Sequence, residues 1–383
     1  MIFDLFHSLS DPWVNKNSLG PRRSIEYFLD QSSLAESLGV DTVWCAESHF
    51  SSETQKSTSV ATIPEFKGEV GINCDSFQLF HLFLKHTQKA NFGTAIHNIV
   101  GGSGGPIASA ERLNFLHFVN QNMFEGKRML RWGVAAGRFP YQNTPFQIVP
   151  RDQEESDFWP SLKRFVFLEA LEIFLRLLVG ERLSSAQLTS WELSRGEGSK
   201  PYSVKKRWEF ESLSLVPQMV STQGLDIVLG SHDPLALQLG LKFWDLSLFN
   251  LSFTSPQQIE SLQQQMFKQS HESGRQWRRD RLPRTVMVFI DRDRAKAYAL
   301  ADRVLDTYVE AMKGTTQVPD KSILKERALV GDPLEIREQL KEGGAKGFNS
   351  DDRIMLWFEF NQLENSEIKS QMKLFFEEVV NRL

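Results

Sequence analysis

The feature of this sequence that most constrains its fold is a repeated alternation of short apolar segments with amphipathic helical segments. Near-continuous apolar strands that alternate with such helices predict a parallel sheet covered by helices. Eight repeats of this unit favour an α/β fold of the (β/α)8 TIM-barrel type over an open sheet. The predicted strands are Ile2–His7, Val40–Ala46, Asn91–Ile96, Arg131–Ala135, Asp226–Leu229, Asp245–Phe249, Thr285–Ile290 and Ile354–Phe358.

One stretch, Pro140–Val216, does not fit a plain barrel. Polar, turn-rich segments at Pro150–Pro160 and Ser184–Lys205 flank a helix, and Trp208–Val216 alternates in the manner of an extra strand. We therefore predict a single barrel domain over residues 1–383, with an elaborated insertion after strand four at about 140–216. The predicted helices are Ser24–Leu38, Ala108–Met123, Phe165–Val179, Pro234–Phe243, Pro256–Ser273, Arg294–Met312 and Pro333–Glu342.

Composition excludes several classes of protein. The chain of 383 residues is 41% hydrophobic, so it can bury a sizeable core, and its net charge of -4 argues against a nucleic-acid partner. Its two cysteines, Cys45 and Cys74, cannot form a disulfide scaffold, and the His and Cys spacings predict no metal site. No apolar run is long enough to span a membrane, and the start lacks the features of a secretory signal, so we expect a cytoplasmic protein.

The candidate catalytic residues follow predicted strands, because the chemistry of a (β/α)8 barrel lies at the carboxyl ends of its strands. Glu47 and His49 follow strand two, and His97 follows strand three. The first two could be an acid–base pair or hold a polar substrate; the alternative is a buried, structurally satisfied glutamate. We favour His49 as the general acid–base, whereas His97 is either a polar group near the reaction or a satisfied loop residue.

An anion site is predicted where strand five ends, at Gly230-Ser231-His232-Asp233-Pro234. Aspartate is a good N-cap and proline suits the first helical position, so a helix begins here with unpaired N–H groups suited to a cofactor phosphate. A plain capped helix is the alternative, as at Asp332-Pro333. Arg138 after strand four could clamp a phosphate or carboxylate, or be an ordinary exposed arginine.

Several motifs together resemble the bacterial luciferase-like flavin monooxygenases. In Leu34–Phe50, the run Gly-Val-Asp-Thr-Val-Trp leads into Glu-Ser-His-Phe, much as in the second βα unit of that family. The matches occur in the family's order and spacing. The similarity covers most of the chain and is weakest over Pro150–Val216. The further matching segments are Phe92–Ala95, Pro106–Asn122, Gly126–Val134, Val330–Pro333 and Met372–Phe375.

This resemblance implies a barrel that binds FMN at its carboxyl mouth and uses reduced flavin and molecular oxygen to oxidise a small organic substrate. It also implies a separate flavin reductase and a homodimer packed through the first few helices, while some relatives use a deazaflavin for hydride transfer. Carried over residue by residue, the cofactor-binding positions are Ala95, Ala136, Gly137, Arg138, Phe139, Gly230, Ser231 and His232.

Three positions depart from the family pattern. Ser48 replaces the first histidine of the family's Glu-His-His-Phe run, and serine cannot do the acid–base work of an imidazole at neutral pH. Ala136 stands where the family's phosphate-binding arginine is expected, with Arg138 two residues on as a substitute, and Ala135 replaces the reactive cysteine of luciferase. The alternatives are therefore a non-catalytic flavin-binding or accessory subunit and a deazaflavin-dependent oxidoreductase.

Overall fold

All eight predicted strands are present in a computed structural model of the protein, which describes residues 1–14, 17–50, 68–69, 71–72, 74–124, 128–137, 142–194, 200–219, 221–250, 254–312 and 320–383. Each strand lies within a few residues of its predicted position, because a continuous apolar run is a local signal that later packing does not change. The strands are β1 (Ile2–His7), β2 (Thr42–Cys45), β3 (Asn91–Asn98), β4 (Leu130–Ala135), β5 (Leu225–Leu229), β6 (Ser247–Leu248), β7 (Arg284–Ile290) and β8 (Arg353–Trp357).

The described helices include the seven predicted ones and three that the sequence did not predict, namely α2, α8 and α10. Among the described helices, none is both long and apolar enough to cross a membrane. The helices are α1 (Pro21–Ser37), α2 (Ser76–His86), α3 (Gly105–Asn122), α4 (Gln153–Leu178), α5 (Pro234–Phe243), α6 (Pro256–Glu272), α7 (Arg294–Ala311), α8 (Lys321–Arg327), α9 (Pro333–Leu340) and α10 (Asn365–Glu378).

The prediction of a polar, turn-rich segment at Pro150–Pro160 is wrong over most of its length, because α4 begins at Gln153. Asp152 is its N-cap, and the Asp152 carboxylate accepts a hydrogen bond from the backbone N–H of Glu155 at 2.8 Å. The helix then continues through Pro160. Proline inside a helix removes one backbone hydrogen bond, so local sequence favours a break that the folded chain does not make.

The predicted strand at Trp208–Val216 is also wrong. The backbone N–H of Trp208 donates to the Glu169 carboxylate of α4 at 3.1 Å, and the N–H of Phe210 donates to Ser185 Oγ at 3.1 Å. Side chains therefore satisfy backbone donors that a strand would pair with another strand, and only Leu213 forms an isolated bridge, with Leu183. The short hairpin of this region joins Glu192–Leu193 to Tyr202–Ser203.

The chain forms two compact units, and β3 contributes its first five residues to one and its last three to the other. The first unit comprises Met1–Ala95, Ser247–Lys268 and Gln276–Leu383, and the second comprises Ile96–Leu246 and Gln269–Arg275.

In the first unit the strands are parallel in the order β3–β2–β1–β8–β7, and the short strand Leu329–Gly331 extends this order beside β7. Ile2 pairs with Arg353, and Leu5 pairs with Val43. Just after β6, Asn250 makes a parallel bridge to Arg284 of β7.

In the second unit β4 pairs in parallel with β5, from Leu130 opposite Leu225 to Val134 opposite Leu229. The end of β3 lies on the other side of β4, where the N–H of Ile99 donates to the Ala135 carbonyl at 3.0 Å. The carboxyl ends of β3, β4 and β5 are therefore neighbours, as parallel strands require.

A buried ion pair joins three strands of the first unit. Arg353 Nη1 of β8 lies 2.8 Å from Asp4 Oδ1 of β1, and these side chains are 4% and 0% exposed. The indole N–H of Trp44 in β2 donates to Asp4 Oδ2 at 2.7 Å. Burial alone would lower the pKa of Arg353, but Asp4 and Asp41 outweigh burial and hold this pKa above its usual range. Both buried charges are therefore compensated.

We expect Arg353→Met to destabilise the protein by about 3–5 kcal/mol, because the buried carboxylate of Asp4 then loses its countercharge. The midpoint of urea unfolding, followed by circular dichroism, measures this loss. Arg22→Met is the matched control, because the Arg22 side chain is 90% exposed and its pair with Glu26 is worth at most about 1 kcal/mol. An unfolding midpoint for Arg353→Met equal to that of the control would contradict the stabilising role of the pair.

Candidate functional site

The structure brings the predicted acid–base pair together just after β2. His49 Nε2 lies 2.9 Å from Glu47 Oε1, and the two side chains are 17% and 1% exposed. A carboxylate only accepts hydrogen bonds, so Nε2 carries the proton shared with Glu47. In the neutral imidazole this leaves Nδ1 of His49 as the acceptor. The contact fixes the ring orientation, as a general acid–base requires, while the catalytic role of the pair stays a prediction.

A second polar cluster of the first unit, at the ends of β1 and β8, was missed by sequence reasoning. Glu359 Oε1 accepts hydrogen bonds from Ser8 Oγ at 2.8 Å and from the Trp357 indole at 2.9 Å. His7 Nδ1 accepts from the Leu9 N–H at 3.1 Å. Burial lowers the pKa of His7, with Glu359 opposing that shift, so the imidazole is neutral at neutral pH. The available signal was that polar residues directly follow strands one and eight.

Both cysteines lie beside Glu47 in surroundings that suppress the thiolate. Burial raises the pKa of Cys74 to about 12, and the carboxylates of Glu47 and Asp75 act in the same direction. Burial also raises the pKa of Cys45 well above its usual value, with further contributions from Cys74 and Glu47. Because the thiolate is the reactive form, neither side chain is a nucleophile at neutral pH.

In the second unit, two asparagines fix the chain where β3 and β4 end. Asn98 Nδ2 donates to Asn143 Oδ1 at 2.9 Å, and Asn143 Nδ2 donates to the Ala136 carbonyl at 2.8 Å. Gly137 has a φ of +78°, and a Cβ there would lie 2.5 Å from Asn98 Nδ2. The close approach therefore requires glycine at this position. Sequence reasoning did not predict Asn143, because it meets Ala136 only through the folded connection.

A cavity of about 260 Å³ opens beside these strand ends. Two of the predicted cofactor positions, Ala136 and Gly137, line it, and α4 forms another wall with Trp159, Lys163 and Val166. The other lining residues are Val100, Asn143, Thr144, Ile148, Val149 and Pro150. Small residues at the strand ends leave this space open, and apolar side chains form most of its wall.

His97 lies buried in the second unit. Its Nε2 is 2.9 Å from Ser109 Oγ of α3, and its ring meets Trp132 edge-on with the centroids 6.0 Å apart. Ser109 and Trp132 thus fix the imidazole in place, which a satisfied structural histidine and a positioned catalytic one both require. Its catalytic role stays a prediction.

The predicted anion turn after β5 is capped as expected. Asp233 Oδ1 accepts from the Leu235 N–H at 3.0 Å, and both carboxylate oxygens also accept hydrogen bonds from Arg164 of α4. Burial raises the pKa of Asp233, but Arg164 and the cap outweigh burial and hold this pKa below its usual value. The positive charge of Arg164 therefore offsets the negative charge of Asp233, which weakens the repulsion between Asp233 and an anion near α5.

Within this turn, Gly230 allows close packing but offers no free N–H group to an anion. Its N–H donates to the Val134 carbonyl at 2.8 Å, so it is already used in strand pairing. A Cβ at Gly230 would lie 2.5 Å from Ile96 Cδ1. Ser231 Oγ accepts from the Asp233 N–H at 3.3 Å, and His232 is exposed.

The remaining predicted cofactor positions are Ala95, Arg138 and Phe139. Ala95 is half-buried in β3 and belongs to the first unit. Arg138 and Phe139 lie outside the described residues.

Three solved structures that resemble this chain share its fold over nearly its full length. Monooxygenase RslO1 from Streptomyces bottropensis is 17% identical, with a TM-score of 0.69 and coverage of 100% of this chain and 99% of that one. The oxygenating constituent of 3,6-diketocamphane monooxygenase from Pseudomonas putida, solved with FMN, is 14% identical with a TM-score of 0.61 and coverage of 100% and 99%. An F420-dependent secondary alcohol dehydrogenase, solved with an F420-acetone adduct, is 13% identical with a TM-score of 0.61 and coverage of 99% and 98%. These similarities confirm the predicted fold class.

The sequence comparison identifies the family directly. No curated protein matches the chain significantly. The family described as luciferase-like monooxygenase matches residues 6–350, which is nearly the whole chain. The chain therefore belongs to the luciferase-like monooxygenases, a family of flavin-dependent enzymes.

Proposed function

We propose that the protein is an FMN-dependent monooxygenase that uses reduced flavin and molecular oxygen to oxidise a small organic substrate. The observation that carries this proposal is the cavity beside β3 and β4, because Ala136 and Gly137, two predicted cofactor positions, line it. Family membership supports a flavin, and the FMN in the related diketocamphane monooxygenase supports FMN among the flavins.

The residues at the strand ends of the second unit fit such a cofactor. Ala136 and Gly137 are small and leave space for the cofactor. Gly230 has no Cβ, so the end of β5 packs closely against Ile96. Ser231 and His232, at the start of α5, would hold the phosphate, since a helix start favours an anion and Arg164 offsets the charge of Asp233. Ala95, Arg138 and Phe139 belong to this proposal as further cofactor contacts.

In the first unit, Glu47 and His49 would act in proton transfer. Glu47 holds Nε2 of His49, so Nδ1 of that ring takes up or releases a proton next to the substrate. When bound, reduced flavin supplies the electrons that activate oxygen. His97 is proposed as a further polar group near the reaction. The apolar side chains of the cavity wall exclude water from the bound cofactor.

The proposal includes the partners that this chemistry needs. A separate reductase would supply reduced flavin to a cytoplasmic enzyme that engages neither nucleic acid nor membrane. We also propose a homodimer. Phe115, Phe118 and Met123 are exposed along and just after α3, and a second copy of the chain would cover this apolar surface.

Two other functions are kept as candidates. A deazaflavin cofactor is supported by the F420-dependent dehydrogenase, whose TM-score of 0.61 equals that of the FMN-bound relative. A non-catalytic flavin-binding or accessory subunit is supported by Ser48 and Ala136, which replace two site residues of the family.

We expect the protein to bind oxidised and reduced FMN and to slow the reaction of the reduced form with oxygen relative to free flavin. Quenching of FMN fluorescence measures binding, and anaerobic mixing followed by exposure to oxygen measures the reoxidation rate. Binding of F420 in preference to FMN would favour the deazaflavin function, and no binding of any flavin would contradict the proposed enzyme.

His49→Ala should lower substrate turnover about tenfold to a thousandfold, because the positioned proton donor and acceptor is lost. His81→Ala is the matched control, since His81 is exposed on α2. FMN binding is measured on both variants to separate turnover from cofactor loss. Turnover in the His49 variant equal to that of the control would remove His49 from the mechanism.

No step of the proposed reaction uses a thiol, so both cysteines should resist iodoacetamide at pH 8 in the folded protein. With a pKa of about 12, on the order of one Cys74 side chain in ten thousand is ionised at that pH. Mass spectrometry measures the modification, and the same protein unfolded in urea is the control. Modification of the folded protein as fast as the unfolded one contradicts this assignment.

A further inference from the structure

A charged side chain lines the cavity beside β3 and β4, and the proposed function assigns it no role. Of its lining residues in the described part of the chain, Lys163 is the one charged side chain. Trp159, Lys163 and Val166 are spaced at i, i+4 and i+7 along α4, so they share one face of this helix. The apolar neighbours of Lys163 therefore belong to the same wall.

We propose that Lys163 of α4 binds the phosphate of the flavin cofactor and makes the protein select FMN over riboflavin. This inference rests on the proposed function, because it assigns a residue to the cofactor of that same site. Ala136 and Gly137 at the end of β4 carry no charge. The positive charge that binds the phosphate is therefore assigned to α4, which forms another wall of the same cavity.

The charge of Lys163 is available, in contrast to that of its neighbour. Arg164 is committed to Asp233, with its guanidinium bonded to both carboxylate oxygens. Among the residues that the structure describes, the Lys163 ammonium forms no ion pair with a carboxylate. Lys163 is an exposed residue and also lines the cavity, so its ammonium is accessible to an anion that enters there.

The size of the cavity favours the phosphate end of the cofactor over the whole molecule. Its volume is about 260 Å³, below the range of about 300–1,000 Å³ that is typical for a complete drug-sized ligand. It therefore suits one end of a longer ligand. The contact between Arg164 and Asp233 places α4 beside the start of α5, where the proposal already expects an anion.

The test compares FMN with riboflavin, which has the same ring but lacks the phosphate. In the full-length protein, Lys163→Met removes the charge and keeps the length of the side chain, and Lys163→Arg keeps the charge. Lys242→Met is the control, since Lys242 is exposed near the end of α5 and does not line the cavity. Fluorescence quenching gives Kd for each flavin, and circular dichroism verifies folding.

Lys163→Met should weaken FMN binding about tenfold to a hundredfold, which is the typical effect of one hydrogen bond to a charged group. Riboflavin binding should be unchanged, Lys163→Arg should retain most of the FMN affinity, and Lys242→Met should behave as the unmodified protein does.

The outcomes separate this inference from the proposed function. Unchanged FMN affinity in Lys163→Met, when the unmodified protein prefers FMN to riboflavin, overturns the role of Lys163 and leaves the proposed function standing. An equal loss of both flavins also overturns it, because the residue then acts on packing rather than on the phosphate. If the unmodified protein binds no flavin, both proposals fail.

Discussion

The buried pair between Arg353 and Asp4 is the interaction on which the first unit most depends. It joins the last strand to the first, and Trp44 of β2 donates to the same carboxylate. Two charges can remain inside a protein only when their geometry is held, so the pair fixes three parallel strands against one another. His7 ends β1, and Glu47 and Glu359 follow β2 and β8, so their relative positions depend on this pair.

Helix α4 has the corresponding role in the second unit. Its carboxylates hold the long connection after β4: Glu155 lies 2.6 Å from Arg207, and Glu169 accepts the backbone N–H groups of Arg207 and Trp208. Toward the strand ends, the same helix supplies Arg164 to Asp233 and Lys163 to the cavity. One helix therefore both anchors the insertion and forms a wall of the candidate cofactor site.

The candidate site could be predicted in part because some of its residues lie close together in the sequence. Glu47 and His49 are two residues apart at a strand end, so any fold that exposes that end brings them near each other. The cap at Asp233 and Pro234 is equally local. Asn143, Trp159 and Lys163 could not be found in this way, because the folded path of the insertion alone brings them to Ala136 and Gly137.

The sequence alone determined the eight strands, most of the helices and the family, because apolar periodicity, caps and motif order act over a few residues at a time. The tertiary structure decided which groups accept hydrogen bonds from the backbone N–H groups. Phe210 donates to Ser185 and Trp208 donates to Glu169, so an alternating segment that favours a strand does not form one. It also decided that α4 continues through Pro160 and that Gly230 packs on Ile96. These outcomes depend on partners distant in the chain, and no local pattern encodes them.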